Sequence, residues 1–126
     1  MDTGEAAIEL RVPAAADSIR YARLLASAVG DDAGFDVEQV DDLKIAIDEL
    51  CVAVFDGAAT TGPLTIAFRN AEGAVEIIGS CAITGDFDEP DLDGGGLQAR
   101  ILRAVADEVM FTSNGDRAGF VLRKRR

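Results

Sequence analysis

Two adjacent carboxylates, Asp48 and Glu49, lie in the middle of the run VDDLKIAIDELCVAVFDGA, residues 40–58. A carboxylate beside an apolar seam can act as a general base on a water or a hydroxyl. The same pair can equally be the solvated face of a helix. A second group is Gly94-Gly95-Gly96, immediately before Leu97. Glycines that open a helix leave backbone N–H groups pointing outward, and the helix dipole there favours an anion. The segment DFDEPDLD just ahead carries five acids, Asp86, Asp88, Glu89, Asp91 and Asp93. It reads as a solvated loop or as a Ca²⁺ loop. The EF-hand spacing is broken, because Pro90 takes the fifth position and Asp91 the glycine position. Each uncompensated carboxylate would repel a phosphate chain by on the order of 1 kcal/mol per contact. No metal site is expected.

The residue inventory excludes several chemistries. The 126 residues include no histidine, which removes a histidine base, a Ser-His-Asp triad and imidazole metal ligands. Cys51 and Cys81 do not have zinc-ligand spacing and read as buried thiols of a reducing compartment. Asp plus Glu number 23 against 12 Lys plus Arg, a net charge of −11. Four of the bases are Arg123, Lys124, Arg125 and Arg126, which read as a solubilising terminus; without them the balance is 23 acids to 8 bases, a net −15. So acidic a body argues against direct nucleic-acid binding. No basic n-region with an apolar run opens the chain, and no stretch approaches the roughly 18 apolar residues that span a bilayer. A cytoplasmic protein with no membrane association is expected.

The elements that must hold these groups follow from periodicity. Ala7 to Val12 alternates as a half-buried strand does. Ile19, Ala22, Leu25, Ala26 and Val29 share a helical face, with Asp17 and Ser18 as candidate caps and Gly30 as the stop. Asp36 and Gln39 form a capping box before Val40, Leu43, Ile47, Leu50 and Val54, which predicts a helix over 37–56. Thr60-Thr61-Gly62-Pro63 reads as a break. Leu64–Arg69 and Ala74–Cys81 read as a hairpin across Ala71-Glu72-Gly73. A loop over 84–96 leads to a helix from Leu97. Val109–Thr112 and Phe120–Arg123 are two short strands joined across Asn114-Gly115-Asp116. Neighbouring antiparallel strands with helices gathered on one face predict an α+β two-layer sandwich, a single domain over 1–126.

The run LKIAIDELCVAVFDGA resembles the first nucleotide-binding box of the GHKL ATPases (the Bergerat fold), in the RsbW and SpoIIAB type of anti-sigma factor and serine kinase. Leu43, Lys44, Ala46, Ile47, Glu49, Cys51, Val54 and Ala58 fit it. The Gly34-Phe35 loop, the hairpin, the glycine-rich lid, Ala106-Asp107-Glu108-Val109 and the ending FVLRKRR follow in the family's order. The resemblance implies a nucleotide site at Glu49, Gly85, Gly94, Gly95, Gly96 and Leu97, with Glu49 in the general-base position. One turn beyond Glu49 the family has a metal-binding asparagine, and here stands Ala53. With Phe87-Asp88 as the anchor, the adenine-binding aspartate becomes Ala82, Thr84 and Asp86 replace two glycines, and Ala118 stands near a family threonine. A methyl group cannot ligate a hard cation, which wants oxygen.

Three functions follow as expectations. The first is an anti-sigma factor with a degenerate nucleotide site, which sequesters a sigma factor and is released by a STAS-domain anti-anti-sigma partner. No cofactor is then expected. The second is an active Mg-ATP-dependent serine kinase acting on that STAS partner, with ADP as product. The third is a GHKL-fold interaction protein of unrelated signalling role. Members of the family often form homodimers, and a homodimer is carried as a further expectation.

Overall fold

In the computed structural model, which describes residues 7–126, strand β1 (Ile8–Val12) leads through a 3₁₀ turn (Ala16–Ser18) into α1 (Ile19–Asp32) and α2 (Val37–Gly57). The hairpin β2 (Ala59–Ala71) and β3 (Ala74–Thr84) comes next, then α3 (Leu97–Val105), β4 (Glu108–Ser113) and β5 (Arg117–Arg125). The sheet order is β1-β2-β3-β5-β4, with every neighbouring pair antiparallel. This is the α+β two-layer arrangement expected, with the helices on one face. The amino-terminal stretch in which a leader was sought includes residues 1–6, outside the described residues. Among the described residues no helix is long and apolar enough to cross a membrane.

The core forms where helical and strand periodicities meet. Leu43, Ile47, Leu50 and Val54 of α2 point down and are fully buried. Against them lie Leu64, Ile66 and Phe68 of β2, Val75 and Ile77 of β3, and Phe120 and Leu122 of β5. Asp36 accepts from the Gln39 backbone at 2.8 Å, and the Gln39 side chain accepts from the Asp36 N–H at 3.0 Å. That reciprocal box starts α2 where the sequence indicated. The β2–β3 turn is Glu72-Gly73, both at positive φ (53° and 79°), the twist that two-residue hairpins favour.

Several boundaries differ from the sequence reading. Asp17 and Ser18 are not caps: both lie in the 3₁₀ turn, and Ser18 is buried with helical dihedrals and no capping hydrogen bond. The first helix passes through Gly30 and ends two residues later. Phe35 N–H donates to the Gly30 carbonyl at 3.0 Å and Gly34 N–H to that of Asp31 at 3.0 Å. Gly34 sits at φ +84°, so the closure is a Schellman motif with Gly34 as the left-handed residue. Gly30 instead lets the two helices approach, since a Cβ there would lie 3.3 Å from Val40 Cγ2. Thr60–Pro63 is not a break either: β2 runs through it with a register shift between Thr60 and Leu64. A proline cannot donate to the ladder, and a bulge is where strands accept one.

Candidate functional site

The second half of α2 lies between α1, α3 and the loop over 85–96. Asp48 is tied to α1: Arg23 Nη1 donates to its Oδ1 at 2.6 Å, with about 40% of each side chain exposed. A pair so exposed contributes under about 1 kcal/mol. Glu49, the next residue, is half-buried, and among the described residues its carboxylate has no hydrogen bond or ion pair. Its backbone carbonyl accepts from Gln98 Nε2 of α3 at 3.3 Å. The start of α3, with Gly96 and Leu97, therefore adjoins the turn of α2 that carries Glu49. Gly95 and Gly96 have open space around their Cα atoms. Gly85 is exposed at φ +76°, away from this junction in the chain. Leu97 is 72% exposed, so it does not pack into the lid.

Ala53 lies one turn beyond Glu49 and is 5% exposed. Its methyl group is sealed in the core, where it offers no oxygen to a cation. Ala82 does not reach this region. Cys81 and Ile83, its neighbours along β3, are both buried on the helix side. Successive side chains of a strand point to opposite faces, so Ala82 faces away from the helices. The helix-side residue at the end of β3 is Ile83, 6% exposed, and its side chain is also an alkyl group. Neither residue carries a carboxylate. Ala118 is buried between its strand partners Cys81 and Ser113.

The acidic loop is held at several points. Asp88 N–H donates to the Gly57 carbonyl at 2.8 Å. Phe87 packs against Gly57, where a Cβ would lie 2.7 Å from its ring, and meets Phe111 edge-on at 5.9 Å between centroids. Arg103 Nη1 of α3 donates to the Leu92 carbonyl at 2.6 Å. Asp91 accepts from Asp93 N–H at 3.0 Å, and its carbonyl accepts from Gly94 N–H at 3.3 Å, so this acid shapes its own turn. Among the described residues no three carboxylates or thiols converge as a metal site requires. A concavity of about 600 Å³ lies on the other side of the loop, between Leu92, Leu102, Val109 and Met110. Neither it nor an adjoining one of about 440 Å³ is lined by Glu49, Ala53 or Ile83.

Both cysteines are free and buried. Burial, then the nearby Asp48 charge, pushes the Cys51 thiol up to about 12. Burial also raises that of Cys81, whose Sγ lies 3.4 Å from the Gly62 carbonyl. Sequence reasoning singled out neither Gln98 nor Arg103, although these two side chains fasten α3 to α2 and to the loop. Long polar residues on a short helix give no signal of what they will reach.

No protein-family model matches the chain. It is 32% identical over 114 residues to the anti-sigma-F factor RsbW of Mycobacterium tuberculosis, covering 89% of this chain and 65% of that protein. The chain therefore spans just under two thirds of the length of that relative. The serine-protein kinase RsbW of Bacillus velezensis is 27% identical, over 90% of this chain and 82% of its own length. That of Halalkalibacterium halodurans is 28% identical, over 81% and 73%.

Proposed function

We propose that this chain, related over most of its length to the RsbW proteins, is an anti-sigma factor that works by docking rather than by phosphorylation. It sequesters a sigma factor and is released when a STAS-domain anti-anti-sigma protein competes. The likeness to a mycobacterial protein named as an anti-sigma-F factor, across 89% of this chain, carries the reading. The side chains at the nucleotide cradle support its second half. Ala53 supplies no oxygen to Mg²⁺, and Ile83 supplies no acceptor to an adenine amino group. Each buried hydrogen-bond partner missing weakens binding by about 1–3 kcal/mol. The residues present do not fit a magnesium nucleotide.

A serine kinase is the second reading. It is favoured by the name of the Bacillus relatives and by a carboxylate at Glu49 that has no side-chain partner among the described residues. Two measurements on the full chain separate the two. Co-purification with individual purified sigma factors, followed by displacement with a STAS protein, should give a stoichiometric complex for the docking reading. Calorimetry with Mg-ATP should show no heat of binding up to millimolar nucleotide. Magnesium-dependent micromolar binding, together with phosphate transfer to a STAS serine, would establish the kinase instead.

A further inference from the structure

We propose that the sheet face turned away from the helices packs against the same face of a second copy of this chain. The helices cover one side of the sheet, and no described element lies on the other. The ladder register fixes which side chains point there. Ile66 and Phe68 of β2, Ile77 of β3 and Phe120 and Leu122 of β5 are buried toward the helices, so the residues between them face outward. One outward row is apolar across four strands: Ala67 pairs with Ile78, Ile78 with Val121, and Val121 with Met110. Ile78 is 36% exposed and Met110 55%. A solvated antiparallel face ordinarily carries polar residues at such positions.

The charges on this face select the occupant. The next row toward the β2–β3 turn reads Arg69, Glu76, Arg123, Glu108 across the same strands. It satisfies itself, with Arg69 3.1 Å from Glu76 and Arg123 3.7 Å from Glu108. Of the chain's 23 acids only Glu9, Glu76 and Glu108 hold outward ladder positions, against five of its 12 bases. The face is therefore at +2, and the rest of a chain of net −11 carries −13. Two copies repel least through this face. A basic partner is drawn to the acidic remainder instead, and an acidic one finds the arginines of the ionic row already paired. The rows also suit a two-fold. An axis along the apolar row sets each of its residues on its own copy. The ionic row of each sheet then covers the opposite flank, which reads Thr65, Ser80, Gly119, Thr112, so across these four strands no like charges meet. Glu9 ends the apolar row at the β1 edge, where its carboxylate stays in water. Five strands at about 4.8 Å and three rows at about 6.7 Å give roughly 500 Å² per copy. The pair buries about 1,000 Å², the size at which a specific interface begins. The inference uses the chain alone and does not rest on the sequestering role.

Sedimentation velocity on the full chain between about 1 and 300 μM should show a monomer–dimer equilibrium. Raising NaCl from about 0.05 to 0.5 M should strengthen it, because salt screens the repulsion of two acidic bodies and leaves apolar burial intact. Ile78→Arg with Met110→Arg should weaken it at least tenfold. Both sites are exposed, so circular dichroism should confirm an unchanged fold. A bis-maleimide reaching about 10 Å, the spacing of packed sheets, should link protomers carrying Ile78→Cys. It should not link those carrying Leu24→Cys, on α1 and 68% exposed. A monomer at 300 μM in both salts, a dimer that salt dissociates, a dimer untouched by the two arginines, or equal linking through Leu24→Cys would each overturn the proposal.

Discussion

Ile83 and Ala82 stand one step apart on β3 and face opposite sides of the sheet. That parity decides which substitution can restore a polar contact toward α2. Ala82→Asp should leave Mg-ATP affinity unchanged in calorimetry, even combined with Ala53→Asn. Ile83→Asp with Ala53→Asn should raise it, at a cost of roughly 2–4 kcal/mol of stability for a carboxylate at a buried position. The sequence could not supply this parity. A loop anchored on Phe87-Asp88 tolerates a one-residue offset, and one residue flips every side chain of a strand to the other face. That Ala53, Ala82 and Ile83 carry no oxygen-bearing side chain, by contrast, is legible from the residue types alone. Cys51 allows a further test at this scale. Its thiol holds its proton to about pH 12 in the folded chain, against roughly 8.5 for a free cysteine. The unfolded chain therefore releases the proton first as pH rises. Stability is full below about pH 8.5 and falls above it by up to about 1.4 kcal/mol per pH unit from this group. Denaturant melts at pH 8 and pH 10 should show the midpoint falling with pH, and Cys51→Ala should flatten that slope. Native Cys51 should also resist a thiol reagent at pH 8 and react once unfolded.

The longest helix was the most legible element, because local and tertiary signals agree there: a capping box at Asp36, then an apolar stripe from Val40 to Val54, about four turns. Asp36→Ala should cost about 1 kcal/mol in a denaturant melt, the usual loss for an N-cap. The end of α1 was misread because Gly30 carries two meanings. A glycine can stop a helix or can let a neighbouring helix approach, and only the presence of Val40 beside it decides. The acidic loop was legible as a loop but not as a fastened one. Its anchors are the Gly57 carbonyl, the Phe87 ring and Arg103, which come from three separate elements. Gly57 is the position where α2 and the loop meet most closely. Gly57→Ala would force Phe87 and the Asp88 carbonyl away from the helix end, at a cost of about 1–3 kcal/mol for overpacking. Amide exchange in residues 86–93 should accelerate in that variant, whereas a loop held only at its ends would show no change.

On the scale of the whole molecule, the basic ending is part of the architecture rather than a solvated tail. β5 runs to Arg125, and Lys124, Arg125 and the following Arg126 each reach a different part of the fold. Lys124, 12% exposed at its side chain, lies 3.6 Å from Asp42 of α2. Arg125 N–H donates to Asp107 at 2.6 Å ahead of β4. Arg126 N–H donates to the Gly73 carbonyl of the hairpin turn at 2.9 Å, and its guanidinium reaches the Ala33 carbonyl after α1. Charge-rich composition concealed this, since four bases in a row read as solubilising until their acceptors are known. Because β5 lies between β3 and β4, shortening it unpairs both neighbours at once. Deleting residues 123–126 should cost at least about 3 kcal/mol, read as a fall of roughly 10 °C or more in Tm. Replacing the same four residues by glutamine keeps the backbone ladder and removes only the charges. That variant should lose less, because the pairs that Arg123 and Arg125 make with Glu108 are exposed and contribute little individually. It should nevertheless associate faster with a basic partner at low salt, since the body it leaves carries a net −15. A slower association for the glutamine variant, measured against ionic strength, would mean that the four bases themselves contact the partner.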